Sequence, residues 1–243
     1  MRYFTKEWYH DTILAEMCFQ IKKTSRASKY SEVFFQYLYK AQKKWFINNQ
    51  KHIARFNKVP FDLAAAEADY EANYNENLDF VKNNLPTEIL DKVADIRVLS
   101  MGSATPEIVD EITRFCGQIN RRCEKVTEDY DMHVEKLAES IGWYKINSLN
   151  KLANAPIAEM KEENGSFMIH TSPEYTDIAC QVVLSGAEVA ERDERLIGAT
   201  ILHFEILPAE KEGFVELNML CRTPDDKSAL FSATARDIEC EEV

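Results

Sequence analysis

The sequence lacks the short motifs by which the common enzyme classes bind phosphate or present a nucleophile. It contains neither Gly-x-Gly-x-x-Gly nor Gly-x-x-x-x-Gly-Lys-Ser/Thr, so the usual routes to nucleotide binding are not predicted. It also lacks a Gly-x-Ser-x-Gly elbow, the strained turn that exposes a catalytic serine to a base. Hydrolase chemistry therefore has no visible nucleophile.

Clustered cysteines and long apolar runs are missing as well. The six cysteines form no Cys-x-x-Cys pair, and the closest two, Cys116 and Cys123, lie seven residues apart in a helical pattern. No stretch approaches the eighteen or so apolar residues of a membrane span, and the first residues have no apolar signal-peptide core. We predict a cytoplasmic protein with reduced thiols and no membrane partner.

Charge is present in quantity but is distributed unevenly. The net charge of −12 disfavours binding to a phosphate backbone, so a nucleic-acid partner is not the first expectation. Residues 1–60 nevertheless hold twelve Lys/Arg against four Asp/Glu, whereas the remaining residues hold 17 against 37. Either the basic helices pack beside acidic ones in the same molecule, or they form a basic surface for an anionic partner.

Hydrophobic spacing predicts a helical region over residues 1–142. Its clearest element is one long helix from Pro106 to Ile141, with Thr105 as the N-cap and an apolar stripe along its length. Four shorter helices are expected to precede it and to lie against that stripe. They are predicted to begin near Thr5, Ser31, Phe61 and Pro86; the first is expected to end near Thr24 and the last at Gly102.

The pattern changes after Gly142. Residues 143–165 are predicted to be a connector, and residues 166–243 an antiparallel β region packed against the helices, because short β-branched and aromatic runs alternate there with turn residues. The predicted fold class is therefore α+β, a helical bundle with one long helix followed by a small antiparallel sheet. Strands are predicted at residues 167–170, 178–184, 197–206, 214–221 and 230–235.

Both ends of the chain resemble a known family. The opening Met-Arg-Tyr-Phe-Thr-Lys-Glu-Trp-Tyr resembles the N-terminal signature of an uncharacterised bacterial family, catalogued as a domain of unknown function, and residues 230–239 resemble its final strand. The resemblance implies a bacterial cytoplasmic protein. It supplies no functional residues.

Two histidine patterns could supply metal ligands. Glu7-x-x-His10 has the spacing used by di-iron carboxylate bundles, but the sequence contains no second Glu-x-x-His. Asp129 and His133 are four residues apart on the predicted long helix and could share a metal or a proton. The alternative for each is an ordinary surface pair. We predict no cofactor, and His10, Asp129 and His133 as the ligands if a transition metal binds.

Aromatic and basic residues are interleaved near the N-terminus. Two amphipathic helices that bury aromatic faces would give this pattern, and so would a surface that binds a partner or single-stranded nucleic acid. We expect a surplus of these side chains to be exposed as a partner-binding patch. Its predicted members are Phe35, Tyr39, Lys40, Lys43 and Lys44.

The absence of catalytic motifs and the uneven charge favour a non-enzymatic interaction or regulatory protein with a cellular protein as its partner. The alternative is a metal-dependent enzyme with a carboxylate/histidine site in the helical region. A weaker alternative is nucleic-acid binding by the basic N-terminal helices.

Overall fold

The protein has the α+β fold predicted from its sequence, with a helical N-terminal region, one long helix and antiparallel sheets. The structure, a computed structural model, describes residues 1–173 and 178–243, except for the side chains of Cys18 and Phe19. The chain divides into two compact units, which we call the helical unit (residues 12–120) and the sheet unit (residues 1–11 and 121–243). Within the described residues, no helix is long and apolar enough to cross a membrane.

Residues 12–120 are almost entirely helical. Ser31 and Asp62 cap the two longest helices that lie wholly in this unit: Ser31 Oγ accepts from the Phe34 N–H at 3.2 Å, and the Asp62 carboxylate accepts from the Ala64 N–H at 2.8 Å. Two short strands, Lys22–Lys23 (β1) and Ser103–Ala104 (β2), pair in parallel. The helices are α1 (Lys6–Glu16), α2 (Glu32–Phe56), α3 (Leu63–Asn84), α4 (Thr87–Leu90), α5 (Ile96–Ser100) and α6 (Pro106–Ile141).

Two predicted helices are shorter in the structure. The first ends at Glu16 and continues only as a 3-10 turn to Gln20, not to Thr24. The helix expected from Pro86 to Gly102 is two helices, α4 and α5, because Asp95 takes an extended conformation and its carboxylate accepts from the Arg97 N–H at 3.1 Å. A cap of this kind begins a new helix and so interrupts the preceding one.

In its described residues, the sheet unit contains two four-stranded antiparallel sheets, whereas one small sheet was predicted. Their strand orders are β10-β5-β4-β3 and β6-β9-β8-β7. The strands are β3 (Ile157–Glu163), β4 (Ser166–Thr171), β5 (Cys180–Ser185), β6 (Glu188–Arg192), β7 (Thr200–Pro208), β8 (Val215–Arg222), β9 (Ser228–Ala235) and β10 (Asp237–Glu242).

The predicted connector at residues 143–165 is structured for most of its length. It holds α7 (Trp143–Leu149) and the edge strand β3. Charged side chains occupy most exposed positions of β3, as is common on edge strands, and a register shift between Ile157 and Glu159 further disrupts the alternation expected of a strand. The predicted strand at residues 178–184 begins beside residues 174–177, which lie outside the described residues; its observed bounds are those of β5.

One core joins both sheets to the C-terminal part of α6. Buried residues alternate along β4, β5 and β9, and the Phe167 ring stacks on the Phe231 ring with centroids 5.4 Å apart. Tyr130, Val134 and Leu137 of α6 pack into the same core. The apolar stripe that predicted the long helix therefore buries its second half against the strands of the sheet unit.

A fully buried carboxylate fixes the first residues of the chain to β7. The carboxylate of Glu205 accepts hydrogen bonds from the backbone N–H groups of Arg2, Tyr3 and Phe4 at 2.5, 2.9 and 3.2 Å. Asn218 Nδ2 donates to the same carboxylate at 3.2 Å. Successive backbone N–H groups form an anion-binding nest, and here the anion is a side chain of the same unit.

Candidate functional site

The candidate site of the helical unit begins with a strip of exposed apolar side chains on α2. Val33 and Tyr37 are four residues apart and Trp45 and Phe56 are eleven apart, close to one and three helical turns, and the eight residues from Tyr37 to Trp45 rotate the strip by about 80° around the helix. Trp45 is 69% exposed and Phe56 is 87% exposed. We call these four residues the apolar strip. Large side chains in such a row are typical of a surface that binds another molecule.

A row of cations adjoins the apolar strip. Lys40, Lys44, Lys51 and Arg55 follow at intervals of four, seven and four residues, and all four are exposed. We call them the basic strip. Lys44 directly precedes Trp45 and Arg55 directly precedes Phe56, so Trp45 and Phe56 lie about 100° from these cations around the helix axis. Val33 and Tyr37 lie seven residues before Lys40 and Lys44, so they are on the same side of the helix as the basic strip.

The charge of the basic strip is not neutralised within the described part of the chain. None of its four members forms an ion pair there. The neighbouring Lys43, by contrast, pairs with Glu67 of α3 at 3.5 Å. Lys43 therefore shows the pairing with an acidic helix that the charge asymmetry predicts, whereas the basic strip is an exposed basic surface.

A cavity of about 440 Å³ opens beside the apolar strip and is lined by Tyr37, Leu38 and Trp45 of α2. Two amide side chains in its wall are held by backbone carbonyls. Gln42 Nε2 donates to the Met101 carbonyl at 2.8 Å, and Asn77 Nδ2 donates to the Ser100 carbonyl at 2.5 Å. The volume falls within the range of small-molecule and side-chain pockets, and the fixed amides keep its shape.

Aromatic rings from α2 and α3 stiffen this part of the unit. The Tyr39 ring meets the rings of Tyr70 and Tyr74 edge-on, with centroids 5.2 and 5.4 Å apart. Burial raises the pKa of Tyr70 to about 12, so its hydroxyl stays neutral and donates to the Tyr39 carbonyl at 3.3 Å. These ring contacts join α2 to α3, and Trp45 lines a further cavity together with Tyr70 and Tyr74.

The predicted partner-binding residues include two that face inward. Phe35 is 7% exposed and packs in a core cluster, and Tyr39 is half-buried against the same cluster. The exposure predicted for both is wrong, because they lie on the side of α2 that packs against α3. Lys40 and Lys44 are exposed as predicted, whereas Lys43 is half-buried in its ion pair. Sequence reasoning missed Tyr37 and Trp45 as surface residues; the i,i+4 pair Tyr70 and Tyr74 on α3 was the available signal.

The three predicted metal ligands are not assembled into one site. His133 Nδ1 lies 2.9 Å from the Tyr3 hydroxyl and 2.9 Å from the Asp129 backbone carbonyl, and the Asp129 carboxylate lies 3.8 Å from Lys125 Nζ. His10 is exposed on α1. No group of three or more His, Cys, Asp or Glu side chains within the described residues could hold a metal ion. The side chains of Asp129 and His133 therefore bind different partners: the Asp129 carboxylate pairs with Lys125, and the His133 ring contacts Tyr3 and the Asp129 backbone carbonyl.

Compared with known protein families, curated proteins and solved structures, the chain shows no significant match. The resemblance of its N-terminus to an uncharacterised bacterial family stays a prediction.

Proposed function

We propose that the protein is an interaction protein that binds an acidic segment of a partner protein along α2. One observation carries the proposal: the exposed surface of one helix presents the basic strip with Trp45 and Phe56 beside it and Val33 and Tyr37 in line with it. An acidic segment with apolar side chains matches both strips, since its apolar residues would cover the rings and its carboxylates would meet the lysines.

Trp45 is the expected centre of the interface. An indole buries about 150–250 Å² when it is covered, and aromatic residues beside a preformed pocket are the usual hot spots of interfaces. The 440 Å³ cavity next to Trp45 gives room for one apolar side chain of the partner. The strip of cations contributes mainly to the rate of association, which salt should reduce.

The proposal can be tested by placing a photoreactive benzoylphenylalanine at Trp45 in the cells that produce the protein. The matched position is Tyr144, an aromatic side chain that is 84% exposed in the sheet unit. We expect a discrete cross-linked protein at position 45 and none at position 144. The captured protein is then purified, and its affinity is measured for the unlabelled chain.

Two variants decide whether the strips carry that affinity. Trp45→Ala should weaken binding about 30-fold, the ratio that corresponds to a loss of about 2 kcal/mol. The pair Lys40→Glu and Lys44→Glu should weaken it about tenfold and remove most of its salt dependence. The control pair Lys29→Glu and Lys136→Glu makes the same change in net charge at exposed positions outside the strips.

The proposal fails if the cross-links at positions 45 and 144 are alike, or if the control pair weakens binding as much as the pair on α2. If the captured material is sensitive to nuclease, the surface belongs to the nucleic-acid alternative. In that case affinity should fall steeply with added salt for a single-stranded oligonucleotide.

A further inference from the structure

The sheet unit contains a second cavity, of about 370 Å³, between α6, α7 and β7. Its floor is apolar, because Phe4, Tyr130, Val134 and Ile146 line it and are each less than 10% exposed. Its rim is polar and carries the amides of two asparagines, Asn147 and Asn150. An apolar floor with a few polar groups is typical of a site for a small ligand.

A bulge in β7 brings successive residues to this cavity. The pairing of β7 with β8 shifts between Ile201 and His203, and Leu202, His203 and Phe204 all line the cavity. Residues of a regular strand alternate between its two faces, so three in a row require such an irregularity. The bulge adds the rings of His203 and Phe204 to those of Phe4 and Tyr130.

The charge on the described lining of this cavity is negative. Among the residues that the structure describes, Asp131 is the only carboxylate that lines the cavity, and no Lys or Arg does so. Asp131 is exposed and forms no ion pair with any residue that the structure describes. Burial lowers the pKa of His203, so this ring is neutral near pH 7 and does not repel a cation.

The net negative charge of the whole sheet unit favours a positively charged ligand. Residues 12–120 hold fourteen Lys/Arg and fourteen Asp/Glu, so the net charge of −12 belongs entirely to the sheet unit. A field of this sign raises the local concentration of cations. The partner proposed for α2 is acidic, so this second site differs from that one in charge.

We propose that the cavity beside Asp131 binds a small organic cation with an apolar body, specifically a quaternary ammonium group of the size of choline. Such a group has no N–H to donate, so it does not need the several acceptors that a primary amine would require. Aromatic rings attract it through their quadrupoles, and a carboxylate supplies the opposite charge. Trp143, which is 51% exposed and lines the cavity, provides the most electron-rich ring.

Choline is the probe, and 3,3-dimethylbutan-1-ol, which has the same shape without the charge, is the control ligand. We expect saturable binding of choline by calorimetry, with binding of the neutral alcohol at least tenfold weaker. Saturation transfer in NMR should run from aromatic protein protons to the N-methyl protons of choline, which reports contact with the rings.

Asp131→Asn should weaken choline binding about tenfold and leave binding of the neutral alcohol unchanged. Asp129→Asn is the matched control, because it removes the same charge two residues away on α6 at a position that does not line the cavity. Trp143→Ala should weaken choline binding about fivefold to thirtyfold, and Trp143→Phe should restore part of it. Circular dichroism melting curves verify that each variant is folded.

Three results would overturn the proposal: no saturable binding of choline at 50 mM, equal affinity for choline and the neutral alcohol, or equal losses in Asp131→Asn and Asp129→Asn. The last would show that binding follows the overall charge of the unit and not the carboxylate at the cavity.

Discussion

Replacing Glu205 by glutamine keeps the volume of the side chain and removes its charge and one acceptor oxygen. In the native protein, Oε2 accepts from the N–H groups of Tyr3 and Phe4, and Oε1 accepts from the N–H of Arg2 and from Asn218 Nδ2. The glutamine oxygen can serve one of these pairs. Its NH₂ group would then face two donors, at a position that is 0% exposed.

The magnitude follows from the two bonds that are lost. A hydrogen bond to a charged acceptor contributes about 1.5–3 kcal/mol, and a buried donor without a partner costs a similar amount. Asn218 cannot compensate by rotating its amide, because its Nδ2 also donates to Glu216 at 2.7 Å and its oxygen would then face that carboxylate. We expect Glu205→Gln to lower the free energy of unfolding of the sheet unit by about 3 kcal/mol, and Glu205→Ala by about 4 kcal/mol or more.

Urea unfolding measured by far-ultraviolet circular dichroism gives the free energy, and hydrogen exchange followed by mass spectrometry reports the amides of residues 2–4. Those amides should lose protection in Glu205→Gln. Glu216→Gln is the matched control, since Glu216 is half-buried on the neighbouring strand and bonds only to Asn218 among the described residues; its cost should stay below about 1 kcal/mol. If Glu205→Gln costs no more than Glu216→Gln and residues 2–4 stay protected, the carboxylate does not anchor the N-terminal segment.

Two further predictions concern single side chains. Asp95 caps α5 and also pairs with Arg97 at 2.9 Å, and its side chain is 3% exposed. Asp95→Ala should therefore lower the free energy of unfolding of the helical unit by about 2–3 kcal/mol, measured by urea unfolding. The control Asp91→Ala should change it by less than about 0.5 kcal/mol. Burial lowers the pKa of His203 in the folded state below its ordinary value of 6.5. Below about pH 6.5 the unfolded chain therefore binds more protons than the folded chain does. The melting temperature should fall as the pH is lowered from 7.5 to 5.5. His203→Gln should flatten this dependence, and an unchanged slope would assign it to other groups.

The parts of the fold that could be predicted are those that depend on interactions between residues close together in sequence, such as helix caps. Ser31 accepts a capping bond at the expected place, and the Thr105 hydroxyl accepts from the Ile108 N–H at 3.4 Å at the start of α6. The edge strand β3 was missed because most of its exposed positions are charged and its register shifts between Ile157 and Glu159, which disrupts the alternation that marks a strand. The remaining features of the fold depend on which helices and strands pack against each other, and the periodicity of the sequence does not show this.

The candidate site illustrates the same limit on one helix. Helical spacing alone does not say which aromatic residues of α2 face inward: a first group, Phe35 and Tyr39, does, whereas Tyr37 and Trp45 are exposed. That choice depends on Tyr70 and Tyr74 of α3, which cover the first group. The burial of Glu205 is even harder to predict, since nothing adjacent to it in sequence marks it as buried. Its partners are the N–H groups of residues about 200 positions away.

The division of charge between the two units makes their proposed sites separable by experiment. The basic strip on α2 belongs to a unit with equal numbers of acidic and basic residues, whereas Asp131 belongs to the unit that carries the whole net charge of −12. Within the described part of the chain, the two cavities share no lining residue. Residues without shared partners usually contribute additively. Lys40→Glu with Lys44→Glu should therefore weaken binding of the partner and leave choline binding unchanged, whereas Asp131→Asn should do the reverse. If either change affects both ligands, the sites are coupled and the two proposals can no longer be judged independently.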